Sequence, residues 1–534
     1  MIGNSTRLPN SKTFARPGFF YYLIRPWRVM DLPGFWPFME LVIAAGVGLC
    51  IAILIIVSTH FIGNPKVVVG AIGGIFYVFM IRRWPYLGIL SVVAITSGLI
   101  SWEWLPLIPI GPFSAHIPDV MLGLLLLLLI LRATTQKDFH FYQTPLDIPL
   151  ILFIMALLFS MFNGVIFLDL SPNPVIRVSR PIFYWLIFFP ITQFITDKQT
   201  LRNFLYGLMG LALVLSAGLI FPNRFLPLMP VSATDLTTAG REFSGVTRIY
   251  YGGERYLYMI IPAMIGTLLI YRKERWLRFI VLTGAIFWLY RSYQRNYWAT
   301  TIVNVGLMIA LFSTFSRTRY RTITRLATAA PLIIILFIGV YFAFPAQVGS
   351  QIDIYADRMG SIFQTASNER ADSSLEWRSM ENYYARQSIN EHLWFGIGPS
   401  GTYRPPFEIE VLANEYPINW YVHNSYLWIT VMMGLSGLIP FLWLSIQYVL
   451  RTLWRWTELR DEEFIGVYIG FGTGYLGMMI SNIVAPNFVQ SWALIIYPIA
   501  MGVNEVIYRL NKQEKEQAER QQTISLARRM RVAR

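Results

Sequence analysis

A histidine lies where a long hydrophilic segment meets an apolar one. The sequence there reads Tyr421-Val-His423-Asn424-Ser-Tyr-Leu427, in a chain that contains only five histidines. An imidazole changes its protonation near neutral pH, so His423 could take a proton from a sugar hydroxyl and act as a general base in glycosyl transfer. The alternative is an interfacial histidine that is hydrogen-bonded to Asn424 or to the backbone.

A set of arginines at the ends of apolar segments forms a second candidate group. They lie at the boundary opposite most of the basic residues, against the usual distribution of charge in membrane proteins. A guanidinium binds phosphate through a planar, bidentate pair of hydrogen bonds, so several together could hold a diphosphate. Alternatively, each could extend toward lipid headgroups. The set comprises Arg241, Arg248, Arg255, Arg291, Arg295 and Arg378.

The hydrophilic segment before His423 contains a predicted helix. Ser373-Ser-Leu-Glu376 resembles a capping box that would open it. Arg378 could then reach a binding pocket, and its alternative role is a salt bridge with Glu381 or Asp372. The two glycines of Gly396-Ile-Gly398 should end the helix, because a residue without Cβ permits a sharp turn. An apolar stripe at helical spacing is expected to be a packing face, and it consists of Trp377, Met380 and Tyr384.

The composition requires a lipid environment. Of 534 residues, 55% are hydrophobic and 14% are charged, and a mean hydropathy of +0.48 is too high for a soluble domain of this size. Apolar runs recur along the chain with short polar stretches between them, which predicts an all-α polytopic membrane bundle. The single cysteine, Cys50, excludes a disulfide framework and a thiolate metal site.

The apolar runs predict about fourteen transmembrane helices. The chain then divides into a cytoplasmic N-terminal segment at 1–35, helices 1–11 at 36–345, a long extracytoplasmic loop with short helices at 346–422, helices 12–14 at 423–509, and a basic cytoplasmic tail at 510–534. The spans are predicted near 36–58, 67–81, 86–100, 118–131, 146–167, 180–196, 202–221, 254–271, 277–290, 298–315, 328–345, 424–450, 464–482 and 491–509.

The orientation follows from the placement of basic residues. They collect in every second connection, such as Arg272-Lys273-Glu274-Arg275, on the same side as the basic N-terminus. Because this charge marks the cytoplasmic side, both termini are predicted to be cytoplasmic. The connections 101–117 and 482–490 contain no Lys or Arg, and 346–422 has ten acidic residues against five arginines. The chain is therefore predicted to be a multi-pass inner (plasma) membrane protein with a periplasmic site.

The net charge of +14 is explained by this topology, and no nucleic-acid partner is predicted. The tail at 510–534 is basic and ends in Ser525-Leu-Ala-Arg-Arg-Met-Arg-Val-Ala-Arg534. Such a segment fits a helix that lies on anionic lipid headgroups. A specific protein contact is the alternative.

Residues 290 to 440 resemble the O-antigen ligase and O-antigen polymerase superfamily, membrane glycosyltransferases that handle polyprenyl-diphosphate-linked glycans. His423-Asn424, followed after nine residues by Gly434-Leu-Ser-Gly437, is similar to the family's His-Asn-x9-Gly-x-x-Gly signature. Arg378 with the later Glu391-His-Leu-Trp-Phe-Gly396-Ile-Gly398 is similar to a second family block. Arg295, after a span, resembles the family's Ser-Arg motif.

The resemblance implies transfer of a glycan from a donor such as undecaprenyl diphosphate to a hydroxyl of a glycan, lipid or protein acceptor, in cell-surface polysaccharide assembly. His423 would be the general base, and Arg295 and Arg378 would hold the departing diphosphate, with inversion at the anomeric carbon. The hydrophilic segments lack an outward Asp-x-Asp pair, so neither a metal nor a cofactor is predicted. The alternative function is a flippase or transporter of lipid-linked glycans without catalysis. Further substrate contacts would come from Arg241, Arg248, Arg255, Arg291 and Asn424.

Overall fold

The structure, a computed structural model of the chain, describes residues 65–100, 105, 107–110, 113–136, 139–220, 231–238, 241–251, 253–343, 373–406, 419–489 and 492–532. The predicted first span at 36–58 and the N-terminal segment at 1–35 lie outside these ranges. The chain forms two compact units, Met1–Phe76 and Tyr77–Arg534. Of the first unit only residues 65–76 are described, as the start of a helix, and the candidate site lies in the second unit.

Helices make up most of the described chain. Short 3-10 turns at Tyr184–Ile187, Trp456–Glu458 and Trp492–Ile495 join or extend some of them. In chain order the helices are α1 (Pro65–Arg83), α2 (Pro85–Thr96), α3 (Ile117–Thr135), α4 (Asp147–Ile166), α5 (Pro172–Phe183), α6 (Phe188–Phe194), α7 (Lys198–Ile220), α8 (Glu254–Ile270), α9 (Arg275–Ser292), α10 (Arg295–Thr314), α11 (Ser316–Ala343), α12 (Ser373–Glu391), α13 (Ser425–Arg455), α14 (Glu462–Ser481) and α15 (Ile496–Val532).

The apolar helices confirm the prediction of a helical membrane protein. Within the described ranges, eight helical segments are long and apolar enough to cross a membrane. Helices α8, with 17 residues, and α9, which contains three arginines, are not among them. The eight segments are Ile117–Thr135, Asp147–Ile166, Pro172–Phe194, Lys198–Gly218, Arg295–Thr314, Ser425–Glu458, Glu462–Ser481 and Ala493–Arg531.

Helix α4 shows how the sequence matches this environment. It is apolar around its whole circumference, and Leu150 and Phe153 are buried against neighbouring helices. On the outer side, Met155 and Phe162 are more than half exposed. A soluble helix would carry polar residues there, so this outer face is suited to contact with lipid.

Glycines allow α8 and α14 to pack closely. A Cβ on Gly466 would lie 2.5 Å from the Cα of Thr267, and one on Gly470 would lie 2.3 Å from the Cα of Ala263. Both distances are too short for a side chain, so glycine is required where the two backbones meet. Close approach through small residues is the usual way in which membrane helices gain packing energy.

Paired charges occupy the end of the bundle remote from His423. Glu463, at the start of α14, is buried and accepts hydrogen bonds from Arg278 at 2.8 Å and from Arg202 at 3.1 Å. Arg451, near the end of α13, donates two 2.9 Å hydrogen bonds to the carboxylate of Glu505 on α15. Buried carboxylates of this kind are tolerated because each is paired with a guanidinium.

Two β-hairpins are additions to the predicted helical fold. Strand β1 (Ile108–Ile110) pairs antiparallel with β2 (Phe113–Ala115), and β3 (Val231–Thr238) pairs antiparallel with β4 (Arg241–Tyr251). β4 is rich in β-branched and aromatic residues, which favour strands. The polar connection at 222–253 therefore has regular structure in its described part.

Helix α15 continues beyond the predicted end of the last span at 509. It runs to Val532, so the predicted tail at 510–534 begins as an uninterrupted continuation of the same helix. No Gly or Pro follows Gly502, and the segment is rich in Lys, Glu, Gln and Arg, which favour helix. Its contact with lipid headgroups stays a prediction.

Candidate functional site

His423 is held at the point where α13 begins. Asn424 is the N-cap of this helix, and its Oδ1 accepts hydrogen bonds from the backbone N–H groups of Tyr426 and Leu427, at 2.9 and 3.1 Å. This satisfies N–H groups that the first turn of a helix leaves unpaired. A substrate contact by Asn424 would therefore come from its amide nitrogen, because the helix uses its oxygen.

Glu381 of α12 orients the imidazole of His423. Its Oε2 lies 2.8 Å from Nδ1 of His423 and accepts the backbone N–H of the same residue at 3.0 Å. Its Oε1 accepts the indole N–H of Trp377 at 2.9 Å. The Glu381 side chain is 1% exposed and that of His423 is 34% exposed. A carboxylate at Nδ1 favours the tautomer that carries its proton there, which leaves Nε2 able to accept a proton.

Tyr421 contacts the ring of His423 and lies close enough to two arginines to be affected by their charges. Its ring lies edge-on to that of His423, with centroids 4.8 Å apart. Burial raises the pKa of Tyr421 above its ordinary value. The charges of Arg255 and Arg378 oppose this rise, whereas that of Glu381 adds to it. Two guanidinium groups and one carboxylate therefore act on the same phenol, beside the imidazole.

Helix α13 is broken at Gly434, and the segment that follows α12 packs against this break. Gly434 has φ +64° and ψ −163°, so the helical hydrogen-bond ladder is interrupted there. Residues 393–398 replace the missing bonds, as buried backbone groups require. This junction ties α12, with Glu381, to α13, with His423. The four hydrogen bonds run from the N–H of Ile397 to the carbonyl of Val431 (2.8 Å), Gly398 to Met432 (3.0 Å), Leu435 to Leu393 (2.8 Å) and Ser436 to Trp394 (3.1 Å).

Glycine is required on both sides of the junction. Gly396 and Gly398 have φ of +67° and +82°, which confirms the predicted sharp turn. A Cβ on Gly396 would lie 2.4 Å from the carbonyl of Met432, and one on Gly434 would lie 2.3 Å from that of Trp394. The close contact between these two backbone segments therefore explains why glycine occurs both in the loop and within α13.

Arg255 and Arg295 lie in the first turns of two helices, α8 and α10, that are joined at their starts. The residues before them are linked, since the Gln294 amide donates a 2.6 Å hydrogen bond to the carboxylate of Glu254. Both arginines are half-buried. The start of a helix carries partial positive charge, so each guanidinium adds to a region that already favours anions.

Asn487 holds Arg255 in place. This residue lies in the connection after α14, and its Oδ1 accepts hydrogen bonds from Nε of Arg255 at 3.0 Å and from the hydroxyl of Tyr297 at 3.2 Å. Because Tyr297 belongs to the first turn of α10, a single amide oxygen fixes the starts of α8 and α10 relative to each other. The other two guanidinium nitrogens of Arg255 make no hydrogen bond to the described residues, so they could bind a ligand.

A chain of hydrogen bonds joins the start of α10 to the start of α13. Asn296 donates to the hydroxyl of Ser481 at 2.8 Å, at the end of α14. The next residue, Asn482, accepts the backbone N–H of Ser425 at 3.0 Å through its carbonyl, and its side-chain oxygen accepts the hydroxyl of the same serine. Ser425 is two residues after His423. The predicted arginine of α10 and the predicted base therefore lie at the same end of the bundle.

The remaining predicted arginines lie on three other elements. Arg378 is half-buried on α12, one turn before Glu381. Arg291 is half-buried in the last turn of α9 and takes no part in the hydrogen-bond chain just described. Arg241 and Arg248 belong to β4, and their side chains lie outside the described part of the chain.

Sequence reasoning misses the role of Glu381, which it considers only as a salt-bridge partner of Arg378. A signal was available, because Glu381 is an acid within the predicted apolar stripe, four residues after Trp377. The stripe is also rotated from the expected packing face, since Met380 is 43% exposed while Glu381 and Ala385 are buried. The buried face is the one that brings the carboxylate to the histidine.

Comparison with known proteins assigns no family to the chain. No protein-family model and no curated protein matches it. In the described ranges, no group of three or more His, Cys, Asp or Glu side chains could hold a metal ion. The motif resemblance and the absence of a metal therefore stay predictions, and a function must rest on the geometry around His423.

Proposed function

We propose that this protein is a membrane glycosyltransferase of the O-antigen ligase or polymerase type. It transfers a glycan from a polyprenyl-diphosphate lipid to an acceptor hydroxyl. The single observation that best supports this is the contact of His423 with the buried carboxylate of Glu381, beside the charges of Arg255 and Arg378. An oriented base next to an anion-binding region is what transfer from a diphosphate donor requires.

The reaction is a displacement at the anomeric carbon. Nε2 of His423 takes the proton of the acceptor hydroxyl while the hydroxyl oxygen bonds to that carbon. The bond from the carbon to the diphosphate oxygen breaks on the opposite face, its electron pair leaves with the polyprenyl diphosphate, and the configuration inverts. Glu381 stabilises the imidazolium, and Arg295 and Arg378 offset the charge on the leaving group. No step of this scheme requires a metal or a cofactor.

We assign the site to the extracytoplasmic face of the inner membrane. In this topology about fourteen helices cross the bilayer, both termini are cytoplasmic, and the loop 346–422 is extracytoplasmic. Basic runs such as Arg272-Lys273 lie at the end of the bundle remote from His423, which supports a cytoplasmic assignment for that end. A lipid-linked donor would then present its diphosphate at the headgroup level near the start of α13.

The test uses purified full-length protein with a defined undecaprenyl-diphosphate glycan and candidate glycan, lipid or protein acceptors. Mass spectrometry follows the glycosylated acceptor and the released undecaprenyl diphosphate. The wild type should form both. His423→Ala should lower the rate by about 10² to 10⁴-fold, the usual contribution of a general base, while donor binding remains.

His392 offers a matched control. Its side chain is exposed at the end of α12, 11 residues after Glu381, so His392→Ala removes a histidine of the same segment without touching the proposed base. This variant should keep wild-type transfer. If His423→Ala also keeps it, the proposed mechanism is wrong. A flippase or transporter would move the donor across the bilayer, form no product, and be insensitive to either change.

Arginines can be tested in the same assay. Arg378→Gln should slow transfer, because the departing diphosphate loses a counter-charge that matters most in the transition state. Arg386 is exposed on the same helix, two turns later, and Arg386→Gln should leave the rate unchanged. An equal decrease in the rate of transfer in the two variants would indicate a general effect of charge on the loop rather than a diphosphate site.

A further inference from the structure

A second cluster of arginines lies at the other end of the bundle, where α8 ends and α9 and α11 begin. Arg325 of α11 donates from Nη1 to the backbone carbonyls of Leu268 and Tyr271, at 2.7 and 3.4 Å. These carbonyls belong to the last turn of α8 and the residue that follows it. A guanidinium in this position satisfies acceptors that the end of a helix leaves unpaired, so Arg325 is held in place by α8.

The cluster holds more positive charge than its acids offset. Burial and the neighbouring charges of Arg275, Arg272 and Arg321 lower the pKa of Arg325 to about 10. Glu462 also acts on Arg325, but its carboxylate pairs with Arg321. Within the described ranges, no ion pair involves Arg272, Arg275 or Arg325. Like charges in one cluster repel one another, and an anion that lies among them relieves this repulsion.

Two polar side-chain atoms on α11 are buried within this part of the bundle. Among the described residues, neither Nη2 of Arg325 nor the hydroxyl of Thr322 has a hydrogen-bond partner. Thr322 is completely buried, and it lies three residues before Arg325, on the same side of the helix. The described protein therefore satisfies the guanidinium of Arg325 only in part, and its charge adds to the excess positive charge of the cluster.

The surroundings of the cluster fit the headgroup level of a bilayer. Trp276, next to Arg275, is 80% exposed, and Tyr320, next to Arg321, is 78% exposed. Exposed tryptophan and tyrosine side chains of membrane proteins concentrate at the boundary between lipid and water. On α9, Ile280 is 54% exposed one turn further along, where an acyl chain would lie.

We propose that this arginine cluster is a binding site for the phosphate of an anionic phospholipid. The exposed guanidinium groups of Arg272 and Arg275 donate hydrogen bonds to the phosphate oxygens, and the charge of Arg325 adds to the attraction. The acyl chains lie against the apolar surface of α9 and α11. Basic pockets between membrane helices recognise anionic headgroups in this way. The site is separate from His423 and does not depend on the proposed transferase activity.

The test titrates purified full-length protein with phosphatidylglycerol or phosphatidylcholine and counts bound lipids by native mass spectrometry. Phosphatidylglycerol should bind at one saturable site, whereas phosphatidylcholine should not. The double variant Arg272→Gln with Arg275→Gln should bind phosphatidylglycerol about 30-fold more weakly, since each cation near a lipid surface contributes about five- to sixfold. This variant keeps Arg325, which supports the end of α8.

Arg319 and Arg520 provide the control, because both are exposed and neither acts on Arg325. The double variant Arg319→Gln with Arg520→Gln removes the same charge and should bind phosphatidylglycerol as the wild type does. Equal weakening in the two double variants would overturn the proposal in favour of a general basic surface. Equal binding of the two lipids would overturn it as well, and displacement of lipid by inorganic phosphate at similar concentration would show a site for free anions instead.

Discussion

Replacing Glu381 by glutamine keeps the shape of the side chain but removes its charge. The carboxylate accepts three N–H groups, two from His423 and one from Trp377. A glutamine has a single oxygen, so at least one of these donors would face an amide NH2 group. An unsatisfied buried donor costs about 1 to 3 kcal/mol, and Glu381→Gln should lower the stability of the protein by about that amount.

The effect of Glu381→Gln on catalysis should be larger than its effect on stability. As His423 takes a proton, the charge that forms lies about 4 Å from the carboxylate, and their attraction is about 4 kcal/mol at an effective dielectric constant of about 20. His423 is 34% exposed, so solvent reduces this value. We therefore expect kcat to fall by about 10² to 10³-fold, with little change in donor affinity.

Initial rates of undecaprenyl diphosphate release at saturating donor measure this effect, and a melting curve verifies that the variant folds. Glu391→Gln is the matched control, because Glu391 is exposed at the end of the same helix. It should retain wild-type kcat. A folded Glu381→Gln variant with kcat within about threefold of the wild type would refute the role of the carboxylate.

Three further outcomes follow from the structure. Gly434→Ala should lower the melting temperature and transfer together, because its Cβ would lie 2.3 Å from backbone atoms, whereas Gly306→Ala, with nothing within 4 Å, should be neutral in a melting curve. Glu505→Gln should destabilise the protein by about 3 kcal/mol, since it leaves the half-buried Arg451 beside a neutral group, and thermal unfolding would detect this. Arg255→Gln should raise the donor Kd in a lipid-binding assay, and an unchanged Kd would remove this residue from the site.

Much of the helical architecture follows from the hydropathy of the sequence. Helices α8 and α14, at Glu254–Ile270 and Glu462–Ser481, lie within a few residues of the spans predicted at 254–271 and 464–482. The predicted helix in the long loop is also confirmed, as α12. Apolar length is a local property, so it can be read along the chain without knowledge of tertiary contacts.

The junction between the loop and α13 could be anticipated only in part. The glycines at 396 and 398 predict a turn, because their conformational freedom is a property of the residue itself. Gly434 gives no comparable signal, since a glycine within an apolar run is also compatible with a continuous helix. The pairing of these two sites joins residues about 40 positions apart and appears only when the chain is folded.

The candidate site, like the junction, could be predicted from the sequence only in part. The type and position of His423, at the border of the loop and an apolar helix, make it a candidate base, and the motif resemblance favours that role over an interfacial histidine. Its partner Glu381 lies 42 positions away, and a carboxylate in a hydrophilic loop is ordinarily a solvated group. Apart from its place in the apolar stripe, Glu381 differs from the exposed Glu391 of the same helix by its burial, and burial depends on how α12 packs against α13.

The central claim is that His423 removes a proton from an acceptor while a glycan leaves its diphosphate. The most direct test reconstitutes the wild type and His423→Ala in liposomes that contain the undecaprenyl-diphosphate glycan, adds an acceptor, and measures the glycosylated product by mass spectrometry. The wild type should form product, and the variant should form it at least about 10²-fold more slowly, although both bind the donor. Equal product from both proteins, or movement of intact donor across the bilayer without product from either, would contradict it.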